Sequence, residues 1–583
     1  MIGLFNNLML QDMNTKYKDK VLGSMIGGAV GDALGYPVEF MNYSQIVHRF
    51  GESGITRYVL NHNGVAEISD DTQMTLFTAN GFLFALTRYA TYGALGASPA
   101  DYISGSYIEW LQTQTGEIDY TEQHYNWIRE AKELHARRAP GMTCLSAIQQ
   151  LAKGETVINK SKGCGGIMRV APVAMIASNP TNPYLTHDRE EQIRYAKEAG
   201  KIAALTHKHP LGYMPAAFLS LFIQHIIPYA YMRSLQLWKC AKTCISILRD
   251  MYPEEHTYIN DLEQLISKAY ELTYNLASSN LNDAEAISQI GEGWVAEETL
   301  AIALYCVFKY PTDFEKAIIA AVNHSGDSDS TGAVTGNIMG ALLGYDAIPD
   351  YYKENLELRW LIEEIATDLA TNIPLSEYGD NSDTPEKREW KKKYIDVMTL
   401  DCVPIKNSYY VNRDLKIYAG EYPGDKDDEQ CKMKLESFEW SKFKYFYDLT
   451  CEGELAPYAH HLQDHQHHFR FPISDCSVPE DTASVAQLCQ NIISQAEQQE
   501  EDAFCNCIYI HCWGGVGRTG TIVACLYAYL MRNQGLGAEE LYTKAMQQLQ
   551  DGFSRCPKSK HRVSPENNLQ RNFVKKFIED ECL

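Results

Sequence analysis

Two short acidic runs, ISDDTQM at 68–74 and HSGDSDSTG at 324–332, supply Asp70, Asp71, Asp327 and Asp329, flanked by Ser69, Thr72 and Ser330. Carboxylate and hydroxyl oxygens are hard donors, and they suit Mg2+ or Mn2+ better than zinc. Four carboxylates brought to one place need positive charge between them, because an unpaired buried charge is costly. A pair of divalent cations is the simplest compensation. Taken singly, each run also reads as a helix cap, since Asp and Ser accept hydrogen bonds from first-turn amides.

A second constellation is His511-Cys512-Trp513-Gly514-Gly515-Val516-Gly517-Arg518-Thr519-Gly520. Five residues between Cys512 and Arg518 let the backbone wrap a phosphate. Amides of Trp513, Gly514, Gly515, Val516 and Gly517, with the planar fork of Arg518, can then meet its oxygens. Such donors and a following helix N-terminus favour a thiolate at Cys512, which makes it a nucleophile toward phosphorus. Thr519 is placed to hydrogen-bond that thiolate, and His511 to fix the loop.

The elements that must hold these residues differ in character. Residues 18–370 read as mostly helical, with frequent Ala and Gly and no long alternating strands. TDFE at 312–315 predicts a capping box, with Thr312 as cap and Glu315 reaching back. The helix it starts should end near His324, so that the next loop carries the second acidic run. The small residues of GAVTGNIMGALLG after it permit close helix packing. Residues 371–405, with Pro374, Pro385, Pro404 and the polar run GDNSDTPEKREWKKK, read as a connector. From 406 the pattern is α/β. FCNCIYI at 504–510 suits a buried strand, the Gly-rich loop follows, and TGTIVACLYAYLMRN is helical. Strand, loop and helix in that order aim backbone N–H groups at an anion.

A net charge of −23 over 583 residues argues against general nucleic-acid binding. Sixteen cysteines lack a framework spacing, and the first twenty residues lack a basic region followed by a long apolar run. These features predict no signal peptide, no membrane span, reduced thiols and a cytoplasmic location.

Seven segments then carry a specific resemblance. GSMIGGAVGDALGYPVEF (23–40), SDDTQMT (69–75), RRAPGMTCLSAI (137–148) and KGCGGIMRVAP (162–172) occur in order. ALTHKHPLGY (204–213), GEGWVAEETLAIALYC (291–306) and HSGDSDSTGAVTGNIMGALLGY (324–345) follow. Together they resemble the ADP-ribosylglycohydrolase family, which includes ADP-ribosyl-arginine hydrolases and dinitrogenase-reductase-activating glycohydrolases. The resemblance implies an all-α domain at 18–370 acting on an ADP-ribosylated protein or a small ADP-ribose substrate. It implies two Mg2+ or Mn2+ on Ser69, Asp70, Asp71, Asp327, Asp329 and Ser330. It implies that Glu39 positions or deprotonates a water, that Gly165 and Gly166 approach a diphosphate, and that Tyr213 stacks on adenine, a core tyrosine being the alternative. Asp32 reads as structural or second-layer, and His207 and His209 as structural. Cys164 stands where relatives often carry a small polar residue, which leaves fine substrate preference open. The forms GEGWVAEE and HSGDSDSTG lean toward arginine as the acceptor.

Residues 406–583 resemble the cysteine-based tyrosine phosphatases, particularly the dual-specificity branch, through IYAGEYPG (417–424), FPISDCSVPED (471–481), the loop, and SPENNLQRNFVKKF (564–577). The resemblance implies an α/β fold with no cofactor, a phosphorylated protein substrate, and Asp475 as general acid, with Asp481 a weaker candidate. HHLQDHQHH at 460–468 is open between a zinc or nickel site including Asp464 and a solvated loop. Cys505 and Cys507 read as strand cysteines or as redox partners of Cys512, and KSKHR (558–562) as a basic rim or plain surface. The expected protein is a bifunctional hydrolase. Two alternatives are an ADP-ribose-binding module that delivers a phosphatase, and a phosphatase for a phosphoinositide, an RNA end or phosphorylated ADP-ribose.

Overall fold

The structure is a computed structural model that describes residues 2–92, 98–116, 126–180, 188–274, 281–371, 403–405, 407–412, 415–440, 443–497, 507–554 and 556–583. It divides into two compact units, one of residues 1–84 with 99–397 and one of 398–583 with 85–98. Most of the expected connector, with Pro374 and Pro385, lies outside the described residues, as does Cys505.

The described part of the first unit is helical, with two isolated bridges, Ala66 to Leu356 and Gly163 to Val295. Its central feature is a pair of antiparallel helices, α1 (Ile2–Gly35) and α3 (Ser328–Leu343); α2 (Asp70–Tyr92) starts beside them. Gly23, Gly27, Gly31 and Gly35 recur every fourth residue on α1, which puts them on one face. Gly332, Gly336 and Gly340 do the same on α3. A Cβ built on Gly27 would overlap the Gly336 carbonyl, and one on Gly336 would overlap that of Gly27. The pairs Gly23 with Gly340 and Gly31 with Gly332 repeat the contact, and Gly35 meets Ser328. Two buried hydrogen bonds lock the register. Ser24 Oγ donates to the Asn337 carbonyl at 2.9 Å, and Asn337 Nδ2 donates to the Ser24 carbonyl at 2.9 Å. The run GAVTGNIMGALLG is therefore a packing seam, as its small residues suggest.

The cap before that region differs from the expected one. The helix Phe314–Val322 is capped by Asp313, whose side chain accepts from the Lys316 amide at 3.0 Å. Glu315 does not reach back to Thr312; it pairs with Arg57 at 2.9 Å. Asp313 is the nearer carboxylate to the orphan amides, and Arg57 offers Glu315 a charge that a backbone N–H does not.

The second unit is a five-stranded sheet in the order β1-β2-β5-β3-β4. The strands are β1 (Ser408–Asn412), β2 (Ile417–Gly420), β3 (Phe443–Asp448), β4 (His467–Arg470) and β5 (Cys507–His511). Only the β1–β2 pairing is antiparallel. Central β5 is buried along its whole length, which explains its apolar run. Helix α4 (Asp428–Trp440) precedes β3, α5 (Thr482–Glu497) precedes β5, α6 (Gly517–Met531) follows it, and α7 (Asn568–Glu581) closes the chain. No helix among the described residues is long and apolar enough to cross a membrane.

Gly336→Ala should destabilise the first unit by about 3 kcal/mol or more, because the added methyl meets backbone that cannot move aside. Calorimetry should show its transition lowered by roughly 5–10 °C, with the transition of the second unit unmoved. An unchanged transition would mean that α1 and α3 are not held by this seam.

Candidate active sites

In the first unit the two acidic runs meet at helix starts. Asp70 and Asp71 lie in the first turn of α2, Asp327 caps α3, and Asp329 lies in its first turn. Helix N-termini carry partial positive charge, which favours carboxylates there. Capping and convergence are thus compatible. The Ser330 amide donates to Asp327 Oδ1 at 3.2 Å and to Asp329 Oδ1 at 3.0 Å. Ser69 faces Asp329, and its Oγ accepts from the Asp71 amide at 3.2 Å. Asp32, three residues before the end of α1, accepts from the amides of Ser69 at 3.0 Å and Thr72 at 3.1 Å. It therefore holds the start of α2 from outside. Glu39 caps the short 3-10 turn Tyr36–Val38 that follows α1, and its charge interacts with Asp329, Asp327, Asp70 and Asp32.

All six carboxylates are buried. Burial pushes their proton affinities up, and for all but Asp329 neighbouring carboxylates add to it: Asp32 to about 7 and Glu39 to about 10. Asp70, Asp71 and Asp327 stand well above the ordinary carboxylate range for the same two reasons. No Lys or Arg among the described residues forms an ion pair with any of the six. Glu39 Oε2 and Asp71 Oδ2 are buried without a hydrogen-bond partner. An oxygen-rich, under-satisfied donor set of this kind fits hard divalent cations, whose charge would let these carboxyls ionise.

Sequence reasoning left several neighbours out. The Cys164 thiol, which it treated only as a departure, meets Asp327 and Ser330 inside the cluster. Arg138 donates to the Ile68 carbonyl at 2.9 Å and pairs with Glu357, and so holds the segment before Ser69. Phe40 and Trp294, both exposed, stack with centroids 5.8 Å apart. Phe40 follows Glu39 directly, and Trp294 lies two residues from Glu292, whose carbonyl accepts from the Asp327 amide at 2.8 Å. The sequence offered no signal for this aromatic rim beyond the adjacency of Phe40 to Glu39.

The other expected residues fall as follows. Protein packing demands the glycines at 165 and 166. A Cβ on Gly165 would meet Cys144 Sγ at 2.7 Å, and one on Gly166 would meet the Gly212 carbonyl at 2.9 Å. Tyr213 leans on Tyr252 with centroids 5.7 Å apart, and its hydroxyl meets Glu255. His207 is buried against Thr206 at 2.8 Å, and burial lowers its affinity for a proton to about 3. His209 Nδ1 accepts from the Leu211 amide at 3.1 Å, capping the helix Pro210–Ile226.

In the second unit β5 delivers His511 and Cys512 to the loop, and α6 begins at Gly517. Gly515 takes φ +71°, and any Cβ there would run into Gly420 at the end of β2, so glycine is required. Ser564 Oγ braces the loop by donating to the Val516 carbonyl at 2.7 Å. His511 Nε2 bonds the Tyr458 hydroxyl at 2.7 Å; burial keeps it neutral, with its affinity lowered to about 4. Cys512 is buried at the floor of a cleft of about 740 Å3, which Trp513, Gly514, Val516, Gly517, Arg518 and Asp475 also line. Trp513 stands 59% exposed at its rim. Thr519 Oγ1 is buried without a partner.

The Arg518 fork is occupied. Glu454 takes it in two bonds of 2.8 and 2.6 Å, the Ile473 carbonyl accepts at 3.0 Å, and Asp475 pairs with it at 3.0 Å. Glu454 was not singled out from the sequence; neither glutamate of CEGE carries a spacing signal. Asp481 instead caps α5, accepting from the Ser484 amide at 2.7 Å. Lys558 and Arg562 line the cleft, so KSKHR contributes to its rim.

A family model described as ADP-ribosylglycohydrolase matches residues 13–378, and one described as "Swiss Army Knife protein, DSP-PTPase phosphatase domain" matches 443–563. The chain is 25% identical over 349 residues to the ADP-ribosyl-[dinitrogen reductase] glycohydrolase of Rhodospirillum rubrum, covering 58% of this chain and 91% of that protein. It is 21% identical over 421 residues to the ADP-ribosylhydrolase ARH1 of Dictyostelium discoideum, covering 61% and 95%. A solved structure of "Tk-PTP in the active form" covers 30% of this chain and 97% of its own, at 18% identity and a TM-score of 0.23.

The raised carboxylates set a pH dependence. Their folded-state affinities exceed the unfolded ones near 4, so above that pH the native state holds more protons than the unfolded state. The contribution of these groups to stability without cations should therefore be fully present below about pH 4 and be lost as pH rises toward 10. In EDTA the melting temperature of the first unit should decline from about pH 5 to about pH 9, and saturating Mn2+ should raise it by more at the higher pH. A Mn2+ shift that is absent, or the same at both pH values, would remove the cation reading.

Proposed function

We propose, for a chain that belongs to the ADP-ribosylglycohydrolase family and carries a dual-specificity-type phosphatase domain after it, that one polypeptide removes ADP-ribose from a modified arginine and phosphate from a protein monoester. The glycohydrolase is assigned to 18–370 and the phosphatase to 406–583, joined through 371–405. The observation that carries the first activity is the convergence of six buried carboxylates without a basic partner among the described residues. Ser69, Asp70, Asp71, Asp327, Asp329 and Ser330 would hold two Mg2+ or Mn2+. Bound there, such cations supply charge neutralisation and a Lewis acid for ribose hydroxyls and water.

The protein's own part in that reaction is orientation and proton handling. Hydrolysis at the anomeric carbon builds oxocarbenium-like charge on the ribose, which a carboxylate-lined pocket stabilises. Glu39 would position or deprotonate the water, its free Oε2 being the available acceptor. Gly165 and Gly166 are assigned to the diphosphate and Tyr213 to the adenine. The stacked Phe40–Trp294 rim supports arginine as acceptor, because a planar guanidinium packs on an aromatic face and is drawn to nearby acids.

In the phosphatase, Cys512 Sγ attacks phosphorus as the P–O bond to the leaving group breaks, and Asp475 gives that oxygen a proton. Water then attacks the phosphocysteine, Asp475 takes its proton, and inorganic phosphate leaves. Arg518 and the amides of Trp513 to Gly517 hold the equatorial oxygens, while Thr519 stabilises the thiolate. Arg518 exchanges Glu454 for the substrate. Around it Lys558 is matched by Glu421 at 2.6 Å and Lys434 by Asp425 at 2.9 Å. A rim neutralised in this way suits a single phosphate on a protein better than a polyanionic lipid or RNA end.

Cys512→Ser should abolish phosphate release and spare ADP-ribose release from modified arginine. Asp71→Ala or a chelator should do the reverse. Parallel loss of both activities would refute two independent sites, and release from modified serine but not arginine would refute the acceptor. Asp475→Asn should slow a phosphopeptide, whose leaving oxygen needs a proton, by about 100-fold or more, and p-nitrophenyl phosphate much less. An equal loss on both substrates would take the acid role from Asp475.

A further inference from the structure

The histidine run at 460–468 is not one solvated loop. Ala459–His461 form a 3-10 turn and His467–Arg470 form β4. The structure sorts its histidines by partner. His467 stacks on Tyr445, and His468 bonds Asp448 at 3.2 Å. His460 and His461 turn elsewhere, toward Asp428 in the first turn of α4. The partner suggested by the sequence, Asp464, is not part of this group.

Two consecutive imidazoles thus aim at one carboxylate from another element. His461 Nε2 lies 2.6 Å and His460 Nε2 3.8 Å from Asp428 Oδ1, and the three ligand atoms all lie within 4.8 Å of one another. Two imidazole nitrogens and a carboxylate oxygen are a donor set for a borderline transition ion rather than for Mg2+. The surroundings favour a cation, since Asp425, Asp427 and Glu429 flank Asp428 in sequence. Its other partner is Lys432 at 3.0 Å, an exposed i,i+4 pair that contributes little stability and yields readily.

We propose that Asp428, His460 and His461 form a site for Zn2+ or a similar divalent transition ion, distinct from the carboxylate cluster of the first unit. Three protein ligands leave a fourth position to water, the arrangement of an open zinc site. Its place in the fold suggests what binding does. Asp425 and Lys426, just before α4, line the phosphatase cleft, and so do Leu455 and Ala456, just before the histidine turn. An ion coordinated by both elements ties one wall of the cleft to the other at the rim, so the site stiffens the entrance through which the phosphate ester reaches Cys512.

The test uses the full chain with Cys512→Ser, which removes the competing thiolate, in excess Mg2+, which occupies the carboxylate cluster. Zn2+ titration calorimetry should find one more equivalent bound than in the same chain with His460→Ala or Asp428→Asn. Co2+ should give a tetrahedral visible band that both variants lose, and Zn2+ should slow amide exchange in 424–430 and 455–461 only when His460 is present. His460 is more than half exposed, so its removal leaves the fold intact. Equal stoichiometry and equal Co2+ spectra in the parent and His460→Ala would overturn the site. Binding without slowed exchange would overturn the stapling role.

Discussion

The first unit depends on how closely two backbones can approach. Along α1 and α3 a backbone carbonyl of one helix repeatedly lies where a Cβ of the other would sit, and glycine leaves room for that approach. Close approach gives the helices one register, which the reciprocal Ser24–Asn337 bonds reinforce. That register places Gly35 against Ser328. Asp32 and Glu39 are thereby carried to the start of α3, where Asp327 and Asp329 sit. Each buried hydrogen bond contributes only about 1 kcal/mol net, so packing along the seam is the larger constraint.

What the seam assembles is electrostatically unfavourable by itself. Six buried carboxyl groups face one another, and two helix N-termini compensate only part of their charge. Two outcomes are available to such a cluster, protonation or cation binding. The raised affinities of Asp32 and Glu39 describe the first, and the partnerless oxygens of Asp71 and Glu39 suit the second. The fold leaves these carboxyl oxygens buried and short of positive partners among the described residues. Asp32 has a different task from the rest, because its oxygens are already engaged by Ser69 and Thr72.

The second unit solves the converse problem, a cradle for an anion. A buried strand, a glycine with φ +71° and a helix start aim donors at one point. Glu454 and Asp475 pair with Arg518, so its guanidinium is held in one orientation. The fork is thereby preorganised for a planar pair of oxygens.

The sequence by itself determined the chemical inventory and the local geometry of the phosphate loop. Cys512 to Arg518 is one contiguous turn whose conformation follows from its glycines and the apolar strand before it. It also showed the glycine spacing of α1 and α3 and the two acidic runs, because period and residue type are properties of neighbours in the chain. Only the tertiary structure decided that runs some 250 residues apart share one cluster. It alone showed that the Cys164 thiol joins them, that Glu454 holds Arg518, that Asp313 and not Thr312 caps its helix, and that His460 and His461 face Asp428. Those pairings depend on which surfaces pack together, and proton affinity depends on the burial that packing creates. Neither quantity is written in the order of residues along the chain.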